Sequence, residues 1–370
     1  MRRRNAAGER VLITGGAGFV AANVADRALR AGHRVRLFDN LSRPGVEHNV
    51  RWLKSSYGDR VELVVGDVRD VEAVARAVRD VARVYHFAAQ VAVTTSLVEP
   101  VEDFEVNARG TLNLLEAIRA LDARPSLLFT STNKVYGHLE DLPLRKRGLR
   151  YEPEDTAMAR YGVSETRPLD FHSPYGCSKG AAEQYVLDYA RTFGLPATVF
   201  RMSCIYGPHQ FGTEDQGWVA HFVIQALTRR PLTLYGDGRQ VRDVLFVDDL
   251  VDAMELAHAN IDRVSGKAFN IGGGPQNTIS LLELIELLGE MFDERPVHVM
   301  EPWRPADQRY YVSNTSRFHA VTGWRPRTPI GEGLARLASW LIESGTVVPA
   351  AASVGRRLAV PAGIGARAVS

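Results

Sequence analysis

From Arg10 to Phe129, short runs of β-branched and aromatic residues alternate with stretches whose apolar positions recur every three to four residues. The short runs Arg10–Ile13, Arg34–Phe38, Val61–Val65, Val84–Phe87 and Leu127–Phe129 predict strands, and Ala21–Arg30, Val71–Val78 and Glu105–Ala120 predict helices. Strands that alternate with helices form βαβ units, and these build a parallel sheet through right-handed crossovers. From Leu139 to Phe171 the periodicity fades into a polar, Pro-interrupted stretch, read as a long loop that covers a site. Tyr175–Thr192 predicts a helix and Ala197–Arg201 a strand. Beyond them Trp218–Thr228, Val247–Ala259 and Ser280–Met291 read as helical, and Leu232–Tyr235 and Ala268–Ile271 as extended.

The expected architecture is therefore α/β: a Rossmann-like doubly wound parallel sheet over residues 9–200, with a later contribution around 240–260, and a smaller mixed α/β C-terminal substrate lobe over 201–343. The Ala/Val/Gly/Arg-rich end, 344–370, lacks helix signals and is expected to be disordered.

Composition narrows the function. The 370 residues carry 45 Lys+Arg against 43 Asp+Glu, a net charge of +2, which argues against a nucleic-acid binder. With 45% hydrophobic and 24% charged residues the chain is an ordinary globular one. No apolar run approaches the roughly 18 residues that span a bilayer, and none forms a signal peptide. The two cysteines, Cys177 and Cys204, have no metal-ligand spacing. A cytoplasmic enzyme without membrane or nucleic-acid partners is expected.

The first chemical motif is Val11-Leu-Ile-Thr-Gly15-Gly-Ala-Gly18-Phe-Val-Ala21, between a predicted strand and a predicted helix. Its glycines permit a tight turn and let a pyrophosphate reach the N–H groups and positive dipole of the helix start. Ala21, at the third small position, still allows close helix–strand packing. Asp39 follows about 20 residues on, where a carboxylate accepts from a ribose hydroxyl. A carboxylate there repels a 2′-phosphate and favours NAD over NADP, although Arg43 pulls the other way. Asp67 is either an acceptor for the adenine amino group or an exposed loop carboxylate.

The second motif is Tyr175 and Lys179, four apart and so on one helical face. A phenol with an ordinary pKa of ~10 is a poor base at neutral pH, and each unit of depression requires about 1.4 kcal/mol of preferential phenolate stabilisation. A neighbouring ammonium and a cationic nicotinamide ring supply it. Thr132, after the fifth strand, can hydrogen-bond both the reacting hydroxyl and the phenol, or else cap the strand end. His172 is read as a solvated loop residue, Cys177 as a packed thiol, and Lys134 as either a phosphate partner or a solvated cation.

Thr14-Gly-Gly-Ala-Gly-Phe, Val135-Tyr-Gly and the Tyr175-x-x-x-Lys179 pair resemble the extended short-chain dehydrogenase/reductase family of nucleotide-sugar epimerases and dehydratases. Longer strings narrow the resemblance to the CDP-paratose 2-epimerases (CDP-tyvelose epimerases) over about Arg10–Glu343. These are Phe38-Asp-Asn-Leu-Ser-Arg, Gln90-Val-Ala-Val-Thr-Thr-Ser, Ser131-Thr-Asn-Lys-Val-Tyr-Gly and Asp170-Phe-His-Ser-Pro-Tyr-Gly-Cys-Ser-Lys-Gly, with Asp215-Gln-Gly-Trp218 and Gly238-Arg-Gln-Val-Arg-Asp243 in the second lobe.

The resemblance implies that Gly15, Gly18, Phe19 and Val20 hold the pyrophosphate of a tightly bound NAD, with Asp39 and Asn40 on the adenosine ribose. Asp67 and Val68 would flank adenine, while Ala88, Gln90, Asn107 and Lys179 would line the nicotinamide half. Tyr175 would be the proton acceptor, Thr132 its partner, and Arg242, Arg304 and Asp307 the grip on the substrate nucleotide. A homodimer is implied as well.

The 4,6-dehydratases of this family place Asp-Glu after the catalytic Thr, where this chain has Asn133 and Lys134. Elimination of water then lacks its carboxylates, and transient oxidation with return of the hydride is left. The expected function is NAD-dependent epimerisation of a nucleotide sugar, at C2 of a CDP-linked deoxyhexose. The alternatives are C4 epimerisation of a UDP- or dTDP-sugar, net reduction with exchangeable cofactor, and a non-catalytic NAD-binding sensor or scaffold.

Overall fold

The structure, a computed structural model, describes residues 8–304 and 307–350. Seven parallel strands form the main sheet: β1 (Arg10–Thr14), β2 (Arg34–Asp39), β3 (Val61–Val65), β4 (Arg83–His86), β5 (Ser126–Thr132), β6 (Ala197–Met202) and β7 (Ala268–Ile271), in the order β7-β6-β5-β4-β1-β2-β3. Side chains alternate across a strand, so a sheet covered on both faces must be apolar at successive positions. Val11 and Ile13 accordingly enter one apolar cluster and Leu12 the other. Leu127 and Phe129 likewise point away from Leu128. Helices Phe19–Arg30, Glu47–Tyr57 and Val247–Ala259 cover one face, and Val71–Ala77, Gly110–Arg119 and Ser173–Phe193 the other. The strand order reverses between β1 and β4, which opens a crevice at their C-terminal ends, the usual ligand position of a doubly wound sheet.

The second lobe is built on Val241–Phe246, which pairs with Cys204–Tyr206, Thr278–Ser280 and Tyr310–Tyr311. Three expectations change. Ala268–Ile271, assigned to the lobe over 201–343, is the edge strand β7 and pairs in parallel with β6. The stretch 139–171 is a structured insertion, with an antiparallel hairpin Leu144–Arg147/Arg150–Pro153 and a helix Thr156–Tyr161 capped by Asp155. The chain from 344 to 350 is packed, because Val347 is buried and the Ala350 N–H donates to the Leu227 carbonyl at 3.0 Å. The rest of the expected disordered tail, 351–370, lies outside the described residues.

Candidate functional site

The glycine loop has no room for side chains. Gly15 has φ +64°, and a Cβ there would lie 2.7 Å from the Ala88 backbone nitrogen on the neighbouring strand crossing. Gly18 caps helix Phe19–Arg30, which has no side-chain cap and no acidic residue in its first turn, so its positive end faces the crevice unneutralised. Phe19 and Val20 form that first turn, half-buried against the core. Asp39 ends β2 and shapes the loop, its carboxylate accepting from the Ala17 N–H at 3.0 Å and the Leu41 N–H at 2.8 Å. This loop, with Gly15, Gly16 and Gly18 and a bare helix start, fits a dinucleotide pyrophosphate.

Asn40 and Asp67 meet at the rim, with the Asn40 amide donating to Asp67 at 2.9 Å. Arg69 gives Asp67 two side-chain hydrogen bonds and one from its backbone, and holds its carboxyl far below the usual range. Asp67 thus accepts four hydrogen bonds from protein donors. Val68 is buried beneath it against Gly110.

Deeper in the crevice a relay of hydrogen bonds fixes Ala88. Its N–H donates to Thr14 Oγ1 at 3.3 Å, and the Thr14 hydroxyl is 2.6 Å from His86 Nδ1. Thr111 donates to the Asn107 carbonyl at 2.6 Å and so accepts from His86 Nε2 at 3.0 Å, which assigns the His86 proton to Nε2. Burial pushes His86 down to about 3 and keeps it neutral. Asn107 lies in a π-helical turn, Glu105–Arg109, and its amide clamps both Gln90 backbone groups, donating at 3.0 Å and accepting at 2.9 Å. It also donates to Ser178 Oγ at 3.0 Å, and Ser178 donates to the fully buried Asp103. Asn107 therefore ties the Gln90 loop to the helix that carries Tyr175.

That helix, Ser173–Phe193, starts with Pro174 in its first turn and ends at Gly194 in the left-handed conformation. Tyr175 and Lys179 share its buried face. Burial pushes Tyr175 up to about 12, the Thr132 hydrogen bond opposes this, and the Asp103 charge adds to it. Burial pushes Lys179 down to about 7, against the pull of Asp103 and Glu183. The Lys179 ammonium lies 4.2 Å from the centre of the Phe129 ring. Thr132, at the end of β5, accepts from the Lys134 N–H at 3.2 Å and reaches Asn133 Oδ1 at 3.3 Å. Cys177, expected to be packed, is exposed, because its position on the helix turns away from the sheet.

The second lobe closes over this edge. Arg242, on Val241–Phe246, pairs with Asp307 at 2.6 Å, so two expected substrate residues meet as a mostly buried ion pair. The Arg304 carbonyl accepts from the Asp307 N–H at 3.3 Å, but its side chain turns to other partners. It stacks 3.7 Å over Tyr235 and donates to Glu214 at 3.0 Å.

Three groups escaped the sequence reading. Gln308 is fully buried; it donates to the Gly137 carbonyl at 2.6 Å and accepts from Asn133 at 3.4 Å, binding the turn after Thr132 to the second lobe. Glu183, one turn beyond Lys179 and fully buried, pairs with Arg201 Nε at 2.9 Å, and Arg201 reaches Tyr136 Oη at 2.9 Å. Asp103 is the third. Only Glu183 left a local signal, as a carboxylate on the helical face of Tyr175 and Lys179.

A buried Tyr175–Lys179 face, a glycine loop at a bare helix start and an arginine-bearing lobe are the parts expected of a protein that does redox chemistry on a nucleotide-linked substrate. The NAD dependent epimerase/dehydratase family matches residues 11–272, and the chain belongs to it. It is 44% identical over 90% of its length, and over 98% of the relative, to the CDP-paratose 2-epimerase of Salmonella typhi. Among solved structures it resembles the Thermus thermophilus UDP-glucose 4-epimerase in complex with NAD, with TM-score 0.75, 33% identity and coverage of 90% and 99% of the two chains. The Thermotoga maritima UDP-glucose 4-epimerase with UDP-glucose aligns with TM-score 0.76, 30% identity and the same coverages. Among the described residues no helix is long and apolar enough to cross a membrane, and no cluster of candidate metal ligands occurs.

Proposed function

We propose that this chain is an NAD-dependent nucleotide-sugar epimerase that inverts C2 of a CDP-linked deoxyhexose through a transient ketone. The observation that carries the reading is the turn after β5, where Thr132 faces Tyr175 and is followed by Asn133 and Lys134 in place of any carboxylate. The similarity to the Salmonella typhi 2-epimerase supports the choice of carbon and nucleotide.

Gly15, Gly18, Phe19 and Val20 hold the pyrophosphate of NAD, Asp39 and Asn40 the ribose, and Asp67 and Val68 the adenine. Ala88, Gln90, Asn107 and Lys179 line the nicotinamide half. NAD held there would supply hydride acceptance and return without net redox change, so it is expected to stay tightly bound through turnover. Tyr175 takes the hydroxyl proton of the reacting carbon while Thr132 donates to the phenolate oxygen. Lys179, brought down to about 7 and so about half protonated at neutral pH, is in its charged form the cation on the same buried helix face as the phenol. Arg242, Arg304 and Asp307 hold the nucleotide while the ketone turns over its opposite face. Tyr175 then gives the proton back.

A homodimer is part of the proposal. Leu97, Val98, Val101, Phe104 and Tyr185 are exposed on the neighbouring helices Val93–Val98, Pro100–Phe104 and Ser173–Phe193, an apolar face suited to a second copy. The two unpaired thiols suit a reducing cytoplasm.

The test combines two measurements. NMR of the product from CDP-linked deoxyhexose locates the inverted carbon, and denaturation releases any resident NAD for assay. Inversion at C2 with about one NAD per chain is expected. Inversion at C4, the reaction of the 4-epimerase relatives, refutes the choice of carbon, and a chain isolated without NAD refutes cofactor recycling.

A further inference from the structure

The turn Asn133–Tyr136 contains a lysine where the elimination chemistry of this fold would need an acid. Its surroundings limit what that lysine can meet. The residue before Lys134 donates to Gln308, and Gly137, three residues after it, accepts from the same Gln308 side chain. The turn is therefore clamped at both ends against the segment that carries Asp307, which is paired with Arg242 at 2.6 Å. On its other side the Lys134 carbonyl packs against Gly176 of the catalytic helix, where a Cβ would stand 3.4 Å away. Lys134 thus lies between the Tyr175 helix and the Arg242–Asp307 pair. Burial lowers its ammonium to about 8, and the Arg242 charge adds to the fall. Asp307, already paired with Arg242, partly offsets that charge, and Lys134 adds a second cation beside the pair, so a further anion seated there is attracted by both cations.

The chemistry of the substrate identifies the anion. In a nucleotide sugar the C2 carbinol is three bonds from the sugar-proximal phosphorus, whereas the C4 carbinol is five bonds away. With C2 rather than C4 at Tyr175, that phosphate is two bonds closer to the turn that also holds Thr132. We propose that Lys134 is a specificity-determining residue that binds the sugar-proximal phosphate together with Arg242 and so presents C2, rather than C4, to Tyr175. The inference rests on the epimerase reading above and adds to it the group that selects the carbon.

The test uses the full-length, NAD-containing protein with Lys134→Met, which keeps the length of the side chain and removes its charge, and Lys134→Arg, which keeps the charge. Binding of CDP and of cytidine monophosphate, which lacks the sugar-proximal phosphate, is measured by calorimetry. Lys134→Met is expected to weaken CDP by about 10- to 100-fold, the range for a lost charge-assisted hydrogen bond, with cytidine monophosphate changed less than about twofold. Lys134→Arg should recover most of the CDP affinity. An equal loss for both nucleotides, or none for CDP, overturns the assignment even if the wild type inverts C2. Inversion at C4 by the wild type overturns the selection of C2, whatever CDP does. Lys134→Gln, with NAD content and melting temperature checked, takes the place of Lys134→Met if that variant misfolds.

Discussion

Thr132→Val tests the electrostatics of the site most directly. The substitution keeps the shape of the side chain and removes the one hydroxyl whose hydrogen bond lowers the Tyr175 pKa against its burial. A hydrogen bond to a charged group is worth about 1.5–3 kcal/mol, and one pKa unit corresponds to about 1.36 kcal/mol. Its loss should therefore raise the phenol by about 1–2 units. Since the phenolate is the working form, the acidic limb of the kcat/KM profile should move to higher pH by the same amount, with a loss of about 10- to 100-fold in rate below that limb. Thr132→Ser, which restores the hydroxyl, should return both. The assay is turnover of nucleotide sugar from pH 6 to 10 by NMR, with NAD content measured in parallel. Bound NAD, a cation beside the phenol, would bring the limb into this range; a loss that persists unchanged above it, where the phenol is ionised in both proteins, would mean that Thr132 acts only on substrate, and this account of Tyr175 would be wrong.

Four further outcomes follow from the same geometry. Tyr175→Phe should keep its NAD and lose turnover by about 10²–10⁴-fold, and full activity would show that Tyr175 is not the base. Gly15→Ala should lose NAD, since its Cβ would stand 2.7 Å from the Ala88 nitrogen at a φ of +64°; normal cofactor content in the purified variant would contradict this. Glu183→Gln removes one partner of a buried ion pair and leaves Arg201 charged, which should cost about 3–5 kcal/mol in denaturant unfolding; a loss below about 1 kcal/mol would show that the pair is not buried. His86 and His258 are buried with pKa values near 3, below the unfolded value, so the unfolded chain binds more protons between pH 6.5 and 3. Stability should fall as pH drops through that window, by up to about 1.4 kcal/mol per pH unit for each histidine, and His258→Asn should flatten the slope.

The sequence made the local parts of this design legible. The glycine loop, Asp39 and the Tyr175–Lys179 pair are written in spacings of 4 to about 20 residues, within one βαβ unit or one helix. Strand β7 was harder to assign, because its four residues pair with β6 only after the chain has passed through most of the second lobe. The hairpin Leu144–Arg147/Arg150–Pro153 shows little hydrophobic alternation, since most of its first strand is exposed. Gln308 and Asn133 are 175 residues apart, and Ser178 and Asp103 are 75 apart, so no local pattern announces either contact. Lys179 also behaves differently from the simplest expectation. Its ammonium rests over Phe129, and the hydrogen bond that lowers the Tyr175 pKa comes from Thr132.

The hydrogen bonds around Thr132 explain why an amide suits position 133 in a site of this kind. The Gly137 carbonyl can only accept, so Gln308 must donate to it and present its own oxygen to Asn133. Asn133 therefore donates through its nitrogen and turns its oxygen towards Thr132. A carboxylate at 133 would set two acceptors against each other at Gln308. The direction of the relay leaves the single Thr132 proton two acceptors, Asn133 Oδ1 and Tyr175 Oη. At 3.3 Å the first contact is long for a hydroxyl donor and readily given up. Ionisation of Tyr175 would offer that proton the stronger, charged acceptor. The same residue that removes elimination chemistry from the turn thus gives the base a donor that becomes available as its charge appears.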